Sequence, residues 1–283
     1  MGASNLFIIG NGFDLAHGMA TGYGDFRRWL IENNRFDVLY ELQSAYPAKI
    51  NEDYLLWCEF EKALGEYDLD TVINWSWENL FLTEISLGNQ LFNGLIDVQL
   101  PDIIDEAFTK WVRSIQIPLR AKYNTLSRDA LYLSFNYTDT LERLYQIPEQ
   151  QVLHIHGRVA KGEKLIVGHN RKIDPAKYWD DDFDMRENNE RMQRLTDMND
   201  LCKPVFEIIE KCDSFFKRLG FTKDIIIFGH SLGEIDYPYY RKIKGSVSSE
   251  AIWHFNPYSA DDIKRIEKFV QTIKITNYIC NQI

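Results

Sequence analysis

The sequence has few cysteines, no long apolar run and fewer basic than acidic residues, and each shortage argues against a class of protein. The four cysteines form no C-x-x-C pair, which argues against a zinc ribbon or a redox dithiol, and we predict no metal site. The longest apolar runs, such as residues 225–228, are far too short to span a membrane. The net charge of −10 disfavours a nucleic-acid groove. Because signal-peptide and myristoylation patterns are also missing, we expect a cytoplasmic protein.

The apolar pattern predicts an α/β fold. Helical patterns alternate with short, continuous apolar runs, as expected for a parallel sheet covered by helices on both faces. These candidate strands lie at residues 5–9, 131–135, 151–154, 164–167, 224–228 and 251–255. We predict a single domain over residues 1–283 with a large helical insertion at 23–128. The polar stretch at 170–199 is either a mobile flap over a site or a solvated insertion.

The first candidate strand runs directly into a glycine-bracketed turn, Gly10-Asn11-Gly12-Phe13-Asp14. Glycines let backbone N–H groups approach an anion closely, and the helix that follows points its positive dipole end at the same place. The turn therefore predicts a phosphate site. The dinucleotide fingerprint is incomplete, because Leu15 stands at the third glycine position. A tight turn without a ligand remains the alternative.

Polar residues also follow the other candidate strands, at the edge where open parallel sheets bind ligands. Asn136 follows the second strand, and Ser231 follows the run at 224–228. After the third strand come His154 and His156, and strand alternation would place them on opposite sides, so only one faces a ligand. The adjacent Gly157 favours His156. We also predict Thr138 as a helix N-cap, and Ser259 with Asp262 as a capping box.

These patches, in this order, resemble the AbiH family of bacterial phage abortive-infection proteins over essentially the whole chain. They are also similar, more distantly, to the SIR2-like domains of phage-defence NAD hydrolases. The segments that carry both resemblances are Ile8-Ile9-Gly10-Asn11-Gly12-Phe13-Asp14, Phe135-Asn136-Tyr137-Thr138, His156-Gly157 and Gly229-His230-Ser231-Leu232-Gly233-Glu234-Ile235-Asp236. The resemblance implies a SIR2-like, Rossmann-type fold and a role in phage defence.

Carried over residue by residue, the resemblance implies a catalytic pair, Asn136 and His156, acting on NAD. It places these residues around the nucleotide: Gly10, Asn11, Gly12, Asp14, Ser231 and Asp236. The chemistry fits, because imidazole titrates near neutral pH and a carboxamide can hold water and ribose at once. Asp14 would bind a ribose diol or stabilise the cationic transition state, or else it only caps the following helix. A zinc-ribbon deacetylase is excluded by the cysteine spacing.

Two other functions stay open. The chain could bind a nucleotide without turnover, as a sensing or oligomerising defence protein, and with either function we expect a homo-oligomer that responds to an unknown phage trigger. Alternatively, Gly229-His230-Ser231-Leu232-Gly233 matches the nucleophile elbow of α/β-hydrolases. That mechanism requires a histidine downstream of Ser231, and His254 is the sole candidate. We therefore favour ligand contact over an esterase for Ser231.

Overall fold

The computed structural model describes residues 3–45, 57, 60–67, 69, 100–124 and 126–281. The chain divides into two compact units. We call Met1–Gly22, Val112–Ile166 and Pro204–Ile283 the sheet unit, and Tyr23–Trp111 with Val167–Lys203 the helical unit. None of the described helices is long and apolar enough to cross a membrane. The predicted strand at 164–167 and the predicted insertion and flap boundaries fall across these units.

The sheet unit is built on an all-parallel sheet of six strands in the order β3-β2-β1-β4-β5-β6. The strands are β1 (Asn5–Ile9), β2 (Leu131–Ser134), β3 (Val152–His154), β4 (Asp224–Phe228), β5 (Ile252–Phe255) and β6 (Tyr278–Cys280). This is the strand order of dinucleotide-binding Rossmann folds, in which the order reverses between the first and fourth strands. The predicted α/β class and parallel sheet are confirmed.

Helices of the described residues follow in chain order. Those of the sheet unit are α1 (Asn11–Ala16), α6 (Thr140–Tyr145), α8 (Val205–Lys211), α9 (Asp213–Lys217), α10 (Tyr237–Ser246) and α11 (Ala260–Ile273). Those of the helical unit are α2 (Tyr23–Glu32), α3 (Phe36–Ala45), α4 (Phe60–Leu64), α7 (Met185–Asp200) and α5 (Leu100–Ser114), which runs past the unit boundary.

Both faces of the sheet are buried, which explains why its strands read as continuous apolar runs. On one face, Leu6, Ile8 and neighbouring strand residues pack in the same cluster as Phe269 of α11. On the other face, Phe7 and Ile9 pack with Phe13 of α1. Successive side chains of β1 thus enter different cores, as strand geometry requires.

Two local expectations about strands are wrong. Residues 164–167 form no strand, and Ile166 instead donates a backbone hydrogen bond to the carbonyl of His156 at 2.9 Å. Gly157, at φ +84°, turns the chain at this point. Conversely, β6 was not predicted, because all its residues are exposed and give no apolar signal. The capping box of Ser259 and Asp262 is confirmed at the start of α11.

The segment predicted to be a flap or solvated insertion contains α7, which begins at a capping box between Asp184 and Glu187. Asn188 of this helix is buried, and its amide donates to the backbone carbonyl of Asp180 at 2.8 Å. The polar composition therefore encodes a capped helix and a hydrogen-bonded turn within the helical unit.

Candidate active site

The sheet register brings the candidate segments to one edge of the sheet unit. Ile9, the last residue of β1, lies beside Ser134 of β2 and Phe228 of β4. Ser134 in turn lies beside His154, the last residue of β3. The loops that follow these residues therefore leave the sheet at the same carboxyl edge, where open α/β sheets bind ligands.

The glycine turn packs directly against the loop that follows β4. The N–H of Gly10 donates to the carbonyl of Phe228 at 3.0 Å, and that of Gly12 donates to the carbonyl of Gly229 at 2.8 Å. A Cβ at Gly10 would lie 2.4 Å from Cα of His230, and one at Gly12 would lie 2.8 Å from Cα of Gly229. These glycines are thus required for contact between two backbones.

This packing changes the expected role of the turn. The N–H groups of Gly10 and Gly12 are already engaged within the protein. Helix α1 has 6 residues, so its dipole is small. Asn11, its first residue, is exposed. The reason given for a phosphate site, glycine N–H groups open to an anion, is therefore not met at Gly10 and Gly12.

Asp14 lies at the centre of a buried polar cluster. Its side chain is 1% exposed, and the hydroxyl of Thr138 donates to its Oδ2 atom at 2.5 Å. The hydroxyls of Thr138 and Thr140 lie 3.1 Å apart. Among the described residues, the Oδ1 atom of Asp14 has no hydrogen-bond partner. The prediction of Thr138 as an N-cap is wrong, since Asp139 holds that position at α6.

The environment of Asp14 favours its neutral form. Burial raises the pKa of this carboxyl above its ordinary value of 3.8. Hydrogen bonds from Thr138, Thr140 and Asn136 and the charge on His17 oppose the shift only in part. A buried carboxyl with a raised pKa and an unpaired oxygen is typical of a functional site, because a purely structural role would leave that oxygen satisfied.

Asn136 is fixed through its backbone on both sides. Its N–H donates to the hydroxyl of Ser134 at 3.2 Å, and its carbonyl accepts a hydrogen bond from Nδ1 of His154 at 3.0 Å. The residue is 6% exposed and its amide interacts with Asp14. Asn136 and Asp14, from two different loops, are thus brought together.

His156 lies in an aromatic surround at the end of the same edge. Its ring centre is 5.4 Å from that of Phe135, 5.7 Å from Tyr239 and 6.3 Å from Tyr137. The residue is 2% exposed. A Cβ at Gly157 would lie 2.4 Å from the carbonyl oxygen of Lys164, so only glycine allows this turn beside the histidine. The expectation that residues at strand ends lie outside the core is wrong for both Asn136 and His156.

The loop after β4 holds a His–Asp pair that the sequence did not reveal. The N–H of Leu232 donates to Nδ1 of His230 at 2.9 Å, which leaves the ring proton on Nε2. That atom lies 3.4 Å from Oδ2 of Asp236, and both side chains are buried. His230 also packs edge-on to Phe135, with ring centres 4.3 Å apart. Asp236 was expected to contact a nucleotide, and in the structure it orients a histidine.

Ser231 lies apart from the groups that an esterase would need. It is exposed, and no hydrogen bond joins it to a histidine in the described part of the chain. His254, the downstream candidate, pairs with Asp224 at 2.8 Å. Asp224 begins β4, whereas Ser231 follows the end of that strand, so the two sites are at opposite edges of the sheet. The nucleophile-elbow pattern is present without the geometry of a triad.

Comparison with known families agrees with the motif order. A sequence model described as "Bacteriophage abortive infection AbiH" matches residues 6–257, which include β1 to β5 and every loop of the candidate site. Searches of curated proteins and of solved structures gave no match. The matched stretch is nearly the whole chain, and the protein therefore belongs to the AbiH family of bacteriophage abortive-infection proteins, which act in phage defence.

Proposed function

We propose that this defence protein cleaves the nicotinamide–ribose bond of NAD at the cluster of Asp14, Asn136 and His156. The observation that carries the proposal is the unpaired Oδ1 atom of the buried Asp14 carboxyl, next to Asn136, at the carboxyl edge of a sheet with Rossmann strand order. Neither a core nor a turn needs that arrangement, since unpaired buried carboxyl oxygens are costly.

The reaction explains the residue types. Water attacks the ribose carbon as its bond to nicotinamide breaks, nicotinamide leaves as a neutral base, and the sugar passes through an oxocarbenium-like state. Asn136 would hold the water and the ribose, since its amide both donates and accepts. His156 would take the proton that the water releases, or hold a ribose hydroxyl.

Asp14 would supply negative charge next to the developing cation. A charge acts more strongly where water is excluded, and Asp14 is almost fully buried. Because its pKa is raised, a nearby cation also favours its ionised form, so charge on Asp14 and charge on the sugar would stabilise each other. The proposal thus assigns the unpaired oxygen to the transition state.

The aromatic surround of His156 supports the same reaction. Phe135, Tyr137 and Tyr239 bring ring faces and edges to the imidazole, which limits the water around it. Exclusion of bulk water strengthens hydrogen bonds and leaves only positioned water to react. The small exposed fractions of Asn136 and His156 are consistent with a site of this kind.

A second candidate function is nucleotide binding without turnover. The observation in its favour is that the N–H groups of Gly10 and Gly12 are occupied and that Asp14, Asn136 and His156 are buried. A protein of this kind would sense a nucleotide or assemble in response to it, and defence would then come from a change of conformation or oligomeric state.

The experiment that separates the two functions uses purified protein and NAD, with and without lysate of phage-infected cells. We expect NAD loss by the parent and a decrease of about 100-fold or more in Asn136→Asp and His156→Gln, the usual effect of losing a positioned polar or acid–base group. His254→Gln is the matched control, because its histidine lies at the opposite edge of the sheet. Nucleotide binding by calorimetry with no NAD loss under either condition would favour the second function.

A further inference from the structure

His154, the histidine that faces away from His156, is held between two acceptors. Its Nδ1 atom lies 3.0 Å from the carbonyl oxygen of Asn136, and its Nε2 atom lies 2.8 Å from Oε1 of Glu142 on α6. The side chain is 6% exposed. The ring therefore joins the backbone of a proposed catalytic residue to a helix of the sheet unit.

The two acceptors determine the protonation of the ring. A carbonyl oxygen only accepts, so Nδ1 must carry a proton. Glu142 is ionised: burial raises its pKa, but the hydrogen bond and charge of His154 and the hydrogen bond of Arg158 outweigh burial, and the net pKa is lowered. An ionised carboxylate also only accepts, so Nε2 carries a proton too. His154 is thus an imidazolium, in contrast to His230.

Further charges hold this arrangement in place. Arg158, from the loop after β3, donates to the same Oε1 atom of Glu142 at 2.6 Å, and its other nitrogen pairs with Glu149 at 3.0 Å. Lys161 pairs with Glu149 at 3.0 Å. The N–H of Arg158 donates to Glu163 at 2.8 Å. Cations and carboxylates alternate through the network, so the buried charge on His154 is compensated.

We propose that His154, as an imidazolium held by Glu142, is a positioning residue that fixes the loop of Asn136 for the reaction. The inference rests on the proposed function, since it assigns to Asn136 a role that needs exact placement. The link is direct, because the Nδ1–H bond to the Asn136 carbonyl fixes the backbone from which the amide projects. A positioned group displaced by about 1 Å can lose about 100-fold in rate.

Two amide substitutions separate the two bonds of the ring. In His154→Asn the side-chain N–H stands near the place of Nδ1–H and can still donate to the Asn136 carbonyl. In His154→Gln the N–H stands near the place of Nε2–H and can still donate to Glu142. The variants have similar polarity, and thermal unfolding of each shows whether it is folded.

We expect His154→Asn to keep NAD turnover within about tenfold of the parent, and His154→Gln to lose about 100-fold in kcat with little change in KM. Phage protection should follow the same order. Nitrogen NMR of the histidine rings should show both nitrogens of His154 protonated at neutral pH. Equal loss in two folded variants, an active His154→Gln, or a neutral ring would overturn the assignment.

These results distinguish the inference from the proposed function. If the parent protein leaves NAD intact in every condition, the proposed reaction fails, and the order of phage protection together with the NMR result still decides the role of His154. If NAD is cleaved but both His154 variants turn over alike, the reaction stands and the positioning role fails.

Discussion

The hydroxyl of Thr138 donates to the carboxyl of Asp14 at 2.5 Å and joins the loop after β2 to the helix after β1. Both side chains are buried. Only one oxygen of Asp14 is satisfied in this way among the described residues, so the pair fixes the carboxyl and leaves its other oxygen without a partner. The first prediction follows from that asymmetry.

We expect Asp14→Asn to raise the free energy of unfolding at pH 7 and to abolish phage protection. The pKa of Asp14 is raised by burial, so the folded state binds more protons than the unfolded state above pH 3.8, and stability falls as pH rises through that window. The asparagine has no such charge, and relief of one buried unsatisfied group is worth about 1–3 kcal/mol.

The measurement is chemical unfolding of parent and variant at pH 7 and at a pH below 3.8, the ordinary value for aspartate. The gain in stability should disappear at the lower pH, where the carboxyl is protonated in both states. A variant that is less stable than the parent at pH 7 would show that ionised Asp14 is structurally required.

The second prediction concerns the contact between the glycine turn and the loop after β4. Gly12→Ala should destabilise the fold by about 1–3 kcal/mol, because its Cβ would lie 2.8 Å from Cα of Gly229, where backbone must move. Gly245→Ala is the matched control: a Cβ there meets nothing within 4 Å, and alanine in α10 should stabilise by about 0.5–1 kcal/mol. Equal unfolding midpoints for parent and Gly12→Ala would contradict the contact.

The expected order of the strands followed from the sequence, since both sheet faces are covered and β1 to β5 read as apolar runs. The sequence did not reveal β6, because Tyr278 and its neighbours have no buried side. Thr138 shows a different limit: a threonine before a helix predicts a cap, and only the tertiary fold shows that its hydroxyl serves Asp14 instead.

The site was predictable as a set of loops and not as a set of contacts. Strand alternation correctly separated His154 from His156, since the first bonds to Glu142 and the second packs on Tyr239. The pairing of His230 with Asp236 had a weak signal, a histidine and an aspartate on one loop after a buried strand. No local pattern pairs His154 with Glu142, because the contact depends on how α6 lies beside β3.

The third prediction concerns Ser231. We expect Ser231→Ala to weaken nucleotide affinity by about 1–3 kcal/mol, the effect of losing a hydroxyl that contacts a ligand. A fluorophosphonate probe should leave Ser231 unlabelled, since its exposed hydroxyl has no histidine hydrogen-bonded to it in the described chain. Stoichiometric labelling of this serine would restore the esterase interpretation.

The fourth prediction is the acid stability contributed by Glu142. Because its folded pKa is lowered, the folded state binds fewer protons than the unfolded state, and this stability is present above pH 4.5 and lost as pH falls through the folded pKa. Glu142→Gln should be less stable than the parent at pH 7, with a smaller loss on acidification below pH 4.5. Unfolding curves measured across this range would contradict the account if the two proteins lost stability in parallel.

The most direct test of the proposed reaction is the NAD content of infected cells over the course of one infection. Cells with the parent protein should lose NAD after infection and before lysis, whereas cells with Asn136→Asp or His156→Gln should keep it and lose protection. Cells with His254→Gln should match the parent. Protection by the parent with NAD unchanged throughout infection would contradict NAD cleavage as the basis of defence.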